Sequence, residues 1–254
     1  MIKTAAAITI ILCSLSILAS CAKSDKKPVV IPAENASHLS NCVHADEWDI
    51  KWSDAMAVGI HTTSKETIVI YRDASDEDMK TKNDGYWSKQ DYTMLSVAGT
   101  VVSYACDYYS EGGAHPSYGR AYKSIDLAEN TNETLLTDHF EAAAIFEALM
   151  NDTVIKNALK DQRPKNLNEL FDVIDGGCEM DLSIRVLGAF ALHHLKGDRV
   201  AVRIGVSHGC EAMRGNFTEI GVYLPQPDRM RTALKKAAAD RTLMQDLYRP
   251  RKKK

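Results

Sequence analysis

From residue 199 to 206 the chain alternates: Val200, Val202, Ile204 and Val206 fall on one side, Arg199 and Arg203 on the other. A two-residue period is that of a strand with one buried face. The preceding run, SIRVLGAFALHHL at 183–195, joins it through Lys196-Gly197-Asp198, so the pair predicts a hairpin. FTEIGVYL at 217–224 predicts a further strand, as do TIVIY at 67–71 and RAYKSIDL at 120–127. YTMLSVAGTVVSYACDYYSEGG at 92–113 is rich in Val, Thr and Tyr and reads as one long strand or as two bent at Gly99. Residues 54–63 show no decisive period, and 74–91 are polar, with a turn signal at Asp84-Gly85.

After residue 130 the period lengthens. Phe140, Ala144, Phe146, Leu149, Ile155 and Leu159 supply an apolar side for a helical zone from Leu136 to about Lys160. Thr137 or Asp138 serves as N-cap and Glu141 sits in the first turn, while Asn151-Asp152-Thr153 marks a point where the zone divides. A short helix follows at 166–174, ended by Gly176-Gly177, and Asp228 caps a last helix carrying Met230, Leu234, Ala237, Met244 and Leu247. Strands, helices, strands and a helix in that order predict an α+β domain, a mainly antiparallel sheet with helices packed on one face. No internal repeat is present.

The N-terminus changes the setting. Lys3 precedes AAAITIILCSLSILAS, which ends Leu18-Ala19-Ser20-Cys21. Small residues before a cysteine are the pattern of a bacterial lipoprotein signal, in which Cys21 receives a diacylglycerol and becomes the new N-terminus. The apolar run stands at the short limit of the roughly 17–25 residues that span a bilayer. Residues 21–41 then read as lipidated cysteine and tether, with lysines, two prolines and little apolar periodicity. The expected organisation is a signal peptide at 1–20, the tether at 21–41, one domain at 42–248 and a basic tail at 249–254. The expected place is the cell envelope, lipid-anchored; with Ala22 after the cysteine, it is the periplasmic face of the outer membrane if the host is Gram-negative.

Charge excludes little else. The formal net charge is −3, and loss of Lys3 with the signal makes it −4, so general nucleic-acid binding is not indicated. The tail RPRKKK is the exception, and a solvated terminus accounts for it. After removal of Cys13 and lipidation of Cys21, four cysteines remain: Cys42, Cys106, Cys178 and Cys210. An even number in an oxidising compartment implies two disulfides with three possible connectivities. Cys42–Cys106 and Cys178–Cys210 are the favoured pairs, the second because it flanks the predicted hairpin. No Cys-x-x-Cys pair indicates zinc.

The candidate site is EGGAHPSYG at 111–119, between two strands. Gly112 and Gly113 free the backbone, and Pro116 pushes His115 towards extended dihedrals. A histidine so held can act as acid, base or ligand, or can hydrogen-bond a neighbouring carbonyl and lock the turn. Around it stand Tyr108, Tyr109, Glu111, Tyr118 and Tyr122. Amphipathic rings suit contact with a sugar or a protein.

The stretch SYACDYYSEGGAHPSYGRAYKSIDLAENTNETLLTDHF resembles the hallmark of the RsiV/PdaC-type extracytoplasmic domain family. There an aromatic strand leads into a Gly-Ala-His turn, a second strand, an Asp-Leu with a polar loop, and a Leu-x-Asp-x-Phe lead-in to a helix. Gly113-Ala114-His115, Asp126-Leu127 and Leu136-Thr137-Asp138-His139-Phe140 fall on those points in order. The likeness covers roughly 65–225, with the specific motif confined to 104–140. It implies an envelope location, an α+β fold and recognition of an envelope ligand more than chemistry. The family's settings are a lysozyme-binding anti-sigma factor and a non-catalytic domain beside a peptidoglycan deacetylase. This chain shows neither a cytoplasmic anti-sigma segment nor a deacetylase domain.

The expected function is therefore a lipid-anchored binding protein for a lysozyme-like hydrolase or for peptidoglycan, with no catalytic residue, metal or cofactor. The alternative is an envelope hydrolase using His115 with Glu111 or Asp126. Other constellations are weaker. His193 and His194 are adjacent, so from a regular strand they face opposite ways and cannot share one metal. His208 near Cys210 hints at a Cys–His hydrolase, but an exported cysteine with companions is more often bonded. Asp172, Asp175, Glu179 and Asp181 do not match a calcium-loop spacing.

Overall fold

The computed structural model describes residues 39–73, 87–111, 115–129 and 133–248. Cys21, the tether to residue 38, Asp84-Gly85, Gly112, Gly113 and the basic tail lie outside the described residues. Within them the α+β class holds, but the strands divide among three antiparallel sheets. The first contains β1 (Asn41–Ala45), β2 (Trp48–Trp52), β3 (Met56–His61) and β4 (Thr67–Arg72), paired in chain order. The second contains β5 (Trp87–Ala98), β6 (Val101–Glu111) and β7 (Ser117–Asp126). The third runs β10 (Phe217–Pro225), β9 (Arg199–Ser207), β8 (Phe190–Lys196). The long 92–113 run is two strands turned at Gly99, whose φ of +59° suits a residue without Cβ.

The β5–β7 sheet lies in the middle because both its faces are apolar. Alternate residues Tyr92, Met94, Val102, Tyr104 and Cys106 pack on one side against Ile50, Ala57, Ile70 and Tyr71 of the first sheet. Leu95, Ala105 and Tyr122 point the other way, against Ala191 of β8 and Met244. A period of two with both sets buried is what an inner sheet requires.

The third sheet carries the helices. Phe190, Leu192, Val200, Val202, Ile204, Ile220, Val222 and Leu224 form one continuous core with Ile145, Leu149, Ile155, Leu159 and Leu170. These come from α2 (Ala142–Asn151), α3 (Thr153–Leu159) and α4 (Leu167–Val173), which follow a single turn, α1 (Leu136–His139). The helical zone divides where the sequence marks it: Asp152 accepts hydrogen bonds from the amides of Val154 and Ile155 and caps α3. The C-terminal helix also divides, into a 3-10 turn at Asp228–Met230, α5 (Arg231–Ala239) and α6 (Met244–Leu247). Arg241 at φ +59° breaks it, and Thr242 Oγ1 then donates to Val97 O at 2.7 Å, fastening the break to β5.

Two elements differ from expectation. Residues 184–188 form a 3-10 turn, not the start of a strand. The β1–β2 hairpin is additional, turned at Asp46, whose φ is +53°. Its core-facing residues are Val43, Ala45, Trp48 and Ile50.

Buried serines join the central sheet to β8, the edge strand of its neighbour. Ser96 Oγ accepts from the Leu192 amide at 3.1 Å, and the Ser124 hydroxyl donates to the Phe190 carbonyl. Phe190 is fully buried at this junction. Its replacement by alanine is expected to lower the unfolding free energy by about 3–5 kcal/mol, read by denaturant titration at unchanged m-value.

Candidate functional site

The hairpin β6–β7 projects the candidate residues in three rows across the sheet. Thr93, Ala105 and Tyr122 are register partners, then Asp91, Asp107 and Arg120, then Lys89, Tyr109 and Tyr118. The rows lie on one face, because positions two apart on a strand point the same way. The first is core. Tyr122 is buried against Phe217, donates to Glu219, and covers Gly205, where a Cβ would stand 2.7 Å from its ring. Burial, reinforced by Glu219, raises the Tyr122 phenol well above its ordinary pKa and keeps it neutral.

The middle row is an ion-pair girdle. Arg120 grips Asp107 with two parallel bonds, Nε to Oδ1 at 2.6 Å and Nη2 to Oδ2 at 2.7 Å. Its remaining nitrogen, Nη1, donates to the Tyr248 hydroxyl at 3.0 Å, and the guanidinium lies 5.9 Å from the Phe217 ring centre. Ser207 Oγ donates to the Arg120 carbonyl at 2.9 Å. A planar, doubly bonded guanidinium fixes orientation as well as charge. Hydrogen bonding to Asp107 raises its already high pKa.

The outer row faces solvent. Tyr118 is 47% exposed, and its ring lies over Gly215, at φ +84°, where a Cβ would come within 2.1 Å. Tyr109 donates to Glu111, and that bond raises the pKa of the phenol. Tyr108 belongs to the opposite face, half-buried against the first sheet and lying over Gly119, where a Cβ would be 2.5 Å from its hydroxyl. The four tyrosines therefore do not form one surface. Tyr109 and Tyr118 share it, whereas Tyr108 faces away and Tyr122 is core.

His115 is exposed at the hairpin end, beside Pro116, and makes no side-chain hydrogen bond to any described residue. Asp126 is not its partner. It closes the ten-residue strand that begins at Ser117, roughly 30 Å away at about 3.3 Å per residue. Asp126 instead belongs to a buried group with Thr134 and His139, which the exposed Asp138 caps from outside. Thr134 donates to Asp138 Oδ2 at 3.2 Å and lies 2.9 Å from His139 Nε2. Asp138 also accepts from the Leu135 amide at 2.7 Å, so the Leu-x-Asp-x-Phe segment is a helix lead-in. His139 stands 4.0 Å from Asp126 Oδ2, yet burial outweighs that attraction and lowers the imidazole pKa. His139 is thus a neutral core residue.

The loop from 208 to 216 braces the hairpin end. Arg214 Nη1 donates to the Pro116 carbonyl at 2.6 Å and to Glu211 at 2.9 Å. The loop is in turn bonded through Cys178–Cys210, with Cα atoms 4.9 Å apart. The amides of Gly209 and Cys210 both donate to the Cys178 carbonyl, at 3.2 and 3.1 Å. This removes the Cys–His hydrolase idea, since Cys210 is not a thiol.

The other expected pair, Cys42–Cys106, is not formed, and both are free thiols. Alternation gives the reason. Val43 packs on the core, so Cys42 is turned outwards on β1, while Cys106 is buried among the tyrosines near β4. β1 and β4 are opposite edges of the four-stranded sheet, three strand spacings or about 14 Å apart, beyond the ~7 Å limit for bridging Cα atoms.

Sequence reasoning missed Arg214, Arg120 and Asp107, which build this end of the molecule. Asp107 and Arg120 stand two positions from Tyr109 and Tyr118 respectively on their strands, a spacing visible once the pairing is known. Among the described residues there is no group of three or more metal-ligating side chains, and no helix is long and apolar enough to cross a membrane.

No family model matches the chain, and no curated protein matches it. The crystal structure of a DUF3298 family member from Bacteroides fragilis is similar at 20% identity and a TM-score of 0.29. The match covers 62% of this chain and 59% of that one, so the chain spans less than two thirds of that protein. These comparisons do not show the RsiV/PdaC-type family, and that resemblance rests on the motif residues alone.

Two outcomes test this geometry. Cys178→Ser with Cys210→Ser opens a loop of sequence separation 32 and is expected to cost about 2–4 kcal/mol, with faster amide exchange at Ser117 and Tyr118. For His139 the folded pKa lies below the ordinary 6.5, so the unfolded chain binds the extra proton first. Its stabilising contribution is complete above pH ~6.5 and is lost as pH falls from there through the folded pKa. Denaturant midpoints measured across pH 7 to 4 should therefore fall less steeply for His139→Gln than for the native chain.

Proposed function

We propose that this chain is an exported lipoprotein whose domain binds a protein ligand of the lysozyme-like hydrolase type, without chemistry of its own. One observation carries the reading: the exposed row Lys89–Tyr109–Tyr118 stands on the Asp107–Arg120 girdle and is braced by Arg214 at Pro116. Rigid tyrosines with two side-chain torsions, flanked by charge and held by packing, bind at low entropic cost. Glu111 and His115 extend the same end of the hairpin.

Several features support this setting. The Leu18-Ala19-Ser20-Cys21 pattern would anchor the chain through lipid, and residues 22–41 would let the domain stand up to about 70 Å from the membrane. The family that the 104–140 motif resembles recognises envelope ligands. A protein ligand is preferred to peptidoglycan because the row is an exposed ridge beside a hairpin end, the shape that protein interfaces cover around aromatic anchors. The hydrolase alternative loses one of its two carboxylates, since Asp126 lies at the far end of β7.

The test is binding of the chain lacking residues 1–21 to lysozyme by calorimetry, beside pelleting with purified peptidoglycan. Tyr118→Ala and Tyr109→Ala are each expected to weaken lysozyme binding at least about tenfold, while Tyr108→Phe leaves it unchanged. Binding to peptidoglycan alone would replace the ligand. Turnover of a glycan or peptide that His115→Ala abolishes would end the non-catalytic reading.

A further inference from the structure

The edge strand β8 departs from regular pairing at one place. Leu192 pairs with Val202 and His194 with Ala201, so His193 is an extra residue opposite none. This β-bulge removes the alternation that would send neighbouring side chains to opposite faces. Both imidazoles come to the same side, with Nδ1 of His193 2.7 Å from Nδ1 of His194 and ring centres 4.9 Å apart.

Two imidazole nitrogens at that distance cannot both present lone pairs, so one proton is held between them. The outer nitrogen of the second ring is also engaged: His194 Nε2 lies 3.3 Å from the Tyr223 hydroxyl, on β10. With Nε2–H donating to Tyr223, Nδ1 of His194 is left as the bare lone pair, the arrangement that prepares a histidine for a metal. The groups facing the pair are Arg203 of β9, Glu219 and Tyr223 of β10, and Lys196 at the end of β8, over the Tyr223 ring. Burial, then Arg203 and His194 itself, lower the pKa of His193, so the pair resists a second proton.

We infer that His193 and His194 form a two-histidine site for a divalent transition-metal cation of tetragonal preference, bound through both Nδ1 atoms in place of the shared proton. The ion fits the spacing. With metal–nitrogen bonds near 2.05 Å, nitrogens at right angles stand about 2.9 Å apart and tetrahedral ones about 3.3 Å. The observed 2.7 Å is close to the right-angled arrangement, which Cu(II) and Ni(II) favour and structural zinc does not. Water completes the coordination, and the held proton moves to Nε2 of His193, so that both rings bind as neutral imidazoles. Arg203 and Lys196 oppose a cation and Glu219 favours it, so the ion of highest intrinsic affinity, Cu(II), is the best occupant. This site is independent of the tyrosine row.

The experiment uses the full chain in detergent with Cys42→Ser, which removes the exposed thiol from metal chemistry. Ni(II) titrated calorimetrically is expected to bind once per chain, to saturation. His193→Ala and His194→Ala should each weaken binding at least about tenfold, and Tyr223→Phe, at an exposed position, should weaken it by about the same factor. His44→Ala, on β1, should leave binding unchanged. Electron paramagnetic resonance of the Cu(II) form of the unsubstituted site should show two equatorial nitrogens, a readout that does not depend on any variant folding. Absence of saturable binding, fewer than two nitrogens, or equal affinity in folded His193→Ala and His194→Ala chains would overturn the assignment.

Discussion

A strand pair that is apolar on both faces has to be covered twice, and the architecture follows from that requirement. β5 and β6 present Met94, Val102, Tyr104 and Cys106 to one side and Leu95 and Ala105 to the other. A four-stranded sheet covers the first side. A three-stranded sheet, with helices on its own far face, covers the second. Burial of a large apolar side chain is worth roughly 1.5–3 kcal/mol, so neither face can be left in water. The ends of the hairpin escape this covering, and they carry the features with functional potential.

The change from core to surface along β6 and β7 is abrupt and ordered. Tyr122 is neutral and buried, Arg120 and Asp107 are charged and half-covered, and Tyr109 and Tyr118 reach solvent. An exposed ion pair contributes little by itself. Here the guanidinium is also held by Tyr248, just past the end of α6, and by Phe217 of β10. The girdle therefore ties three remote parts of the chain to the base of the tyrosine row. Stiffness at the hairpin end is a property of tertiary structure, and the loop bonded through Cys178 adds to it from the other side.

Much of this was legible beforehand, and the failures share a cause. The strong periods at 67–71, 120–127, 199–206 and 217–224 each correspond to a strand, and Gly99 and Asp152 mark true breaks. The β1–β2 hairpin is hidden in the sequence because its alternation of Val43, Ala45, Trp48 and Ile50 is interrupted by a turn without glycine or proline. Asp46 adopts the left-handed conformation there instead. The false start at 183–189 is an apolar run too short for periodicity to separate strand from turn. For the site, residue types were informative but faces were not. Tyr108 and Tyr109 look equivalent in sequence, and only the pairing register sets one against the first sheet and the other towards solvent. His193 and His194 invert that lesson, since one unpaired residue cancels the alternation. Cysteine parity likewise suggested two bridges, whereas geometry permits one.

The two buried serines on the central sheet have a consequence for the molecule in company. β8 is the outermost strand of its sheet, and such a strand ordinarily offers a row of unspent amides and carbonyls to any passing chain. Ser96 and Ser124 occupy two of those groups, at Leu192 and Phe190, from within the same polypeptide. The first half of that border is thereby made less open to strand addition by a neighbouring copy.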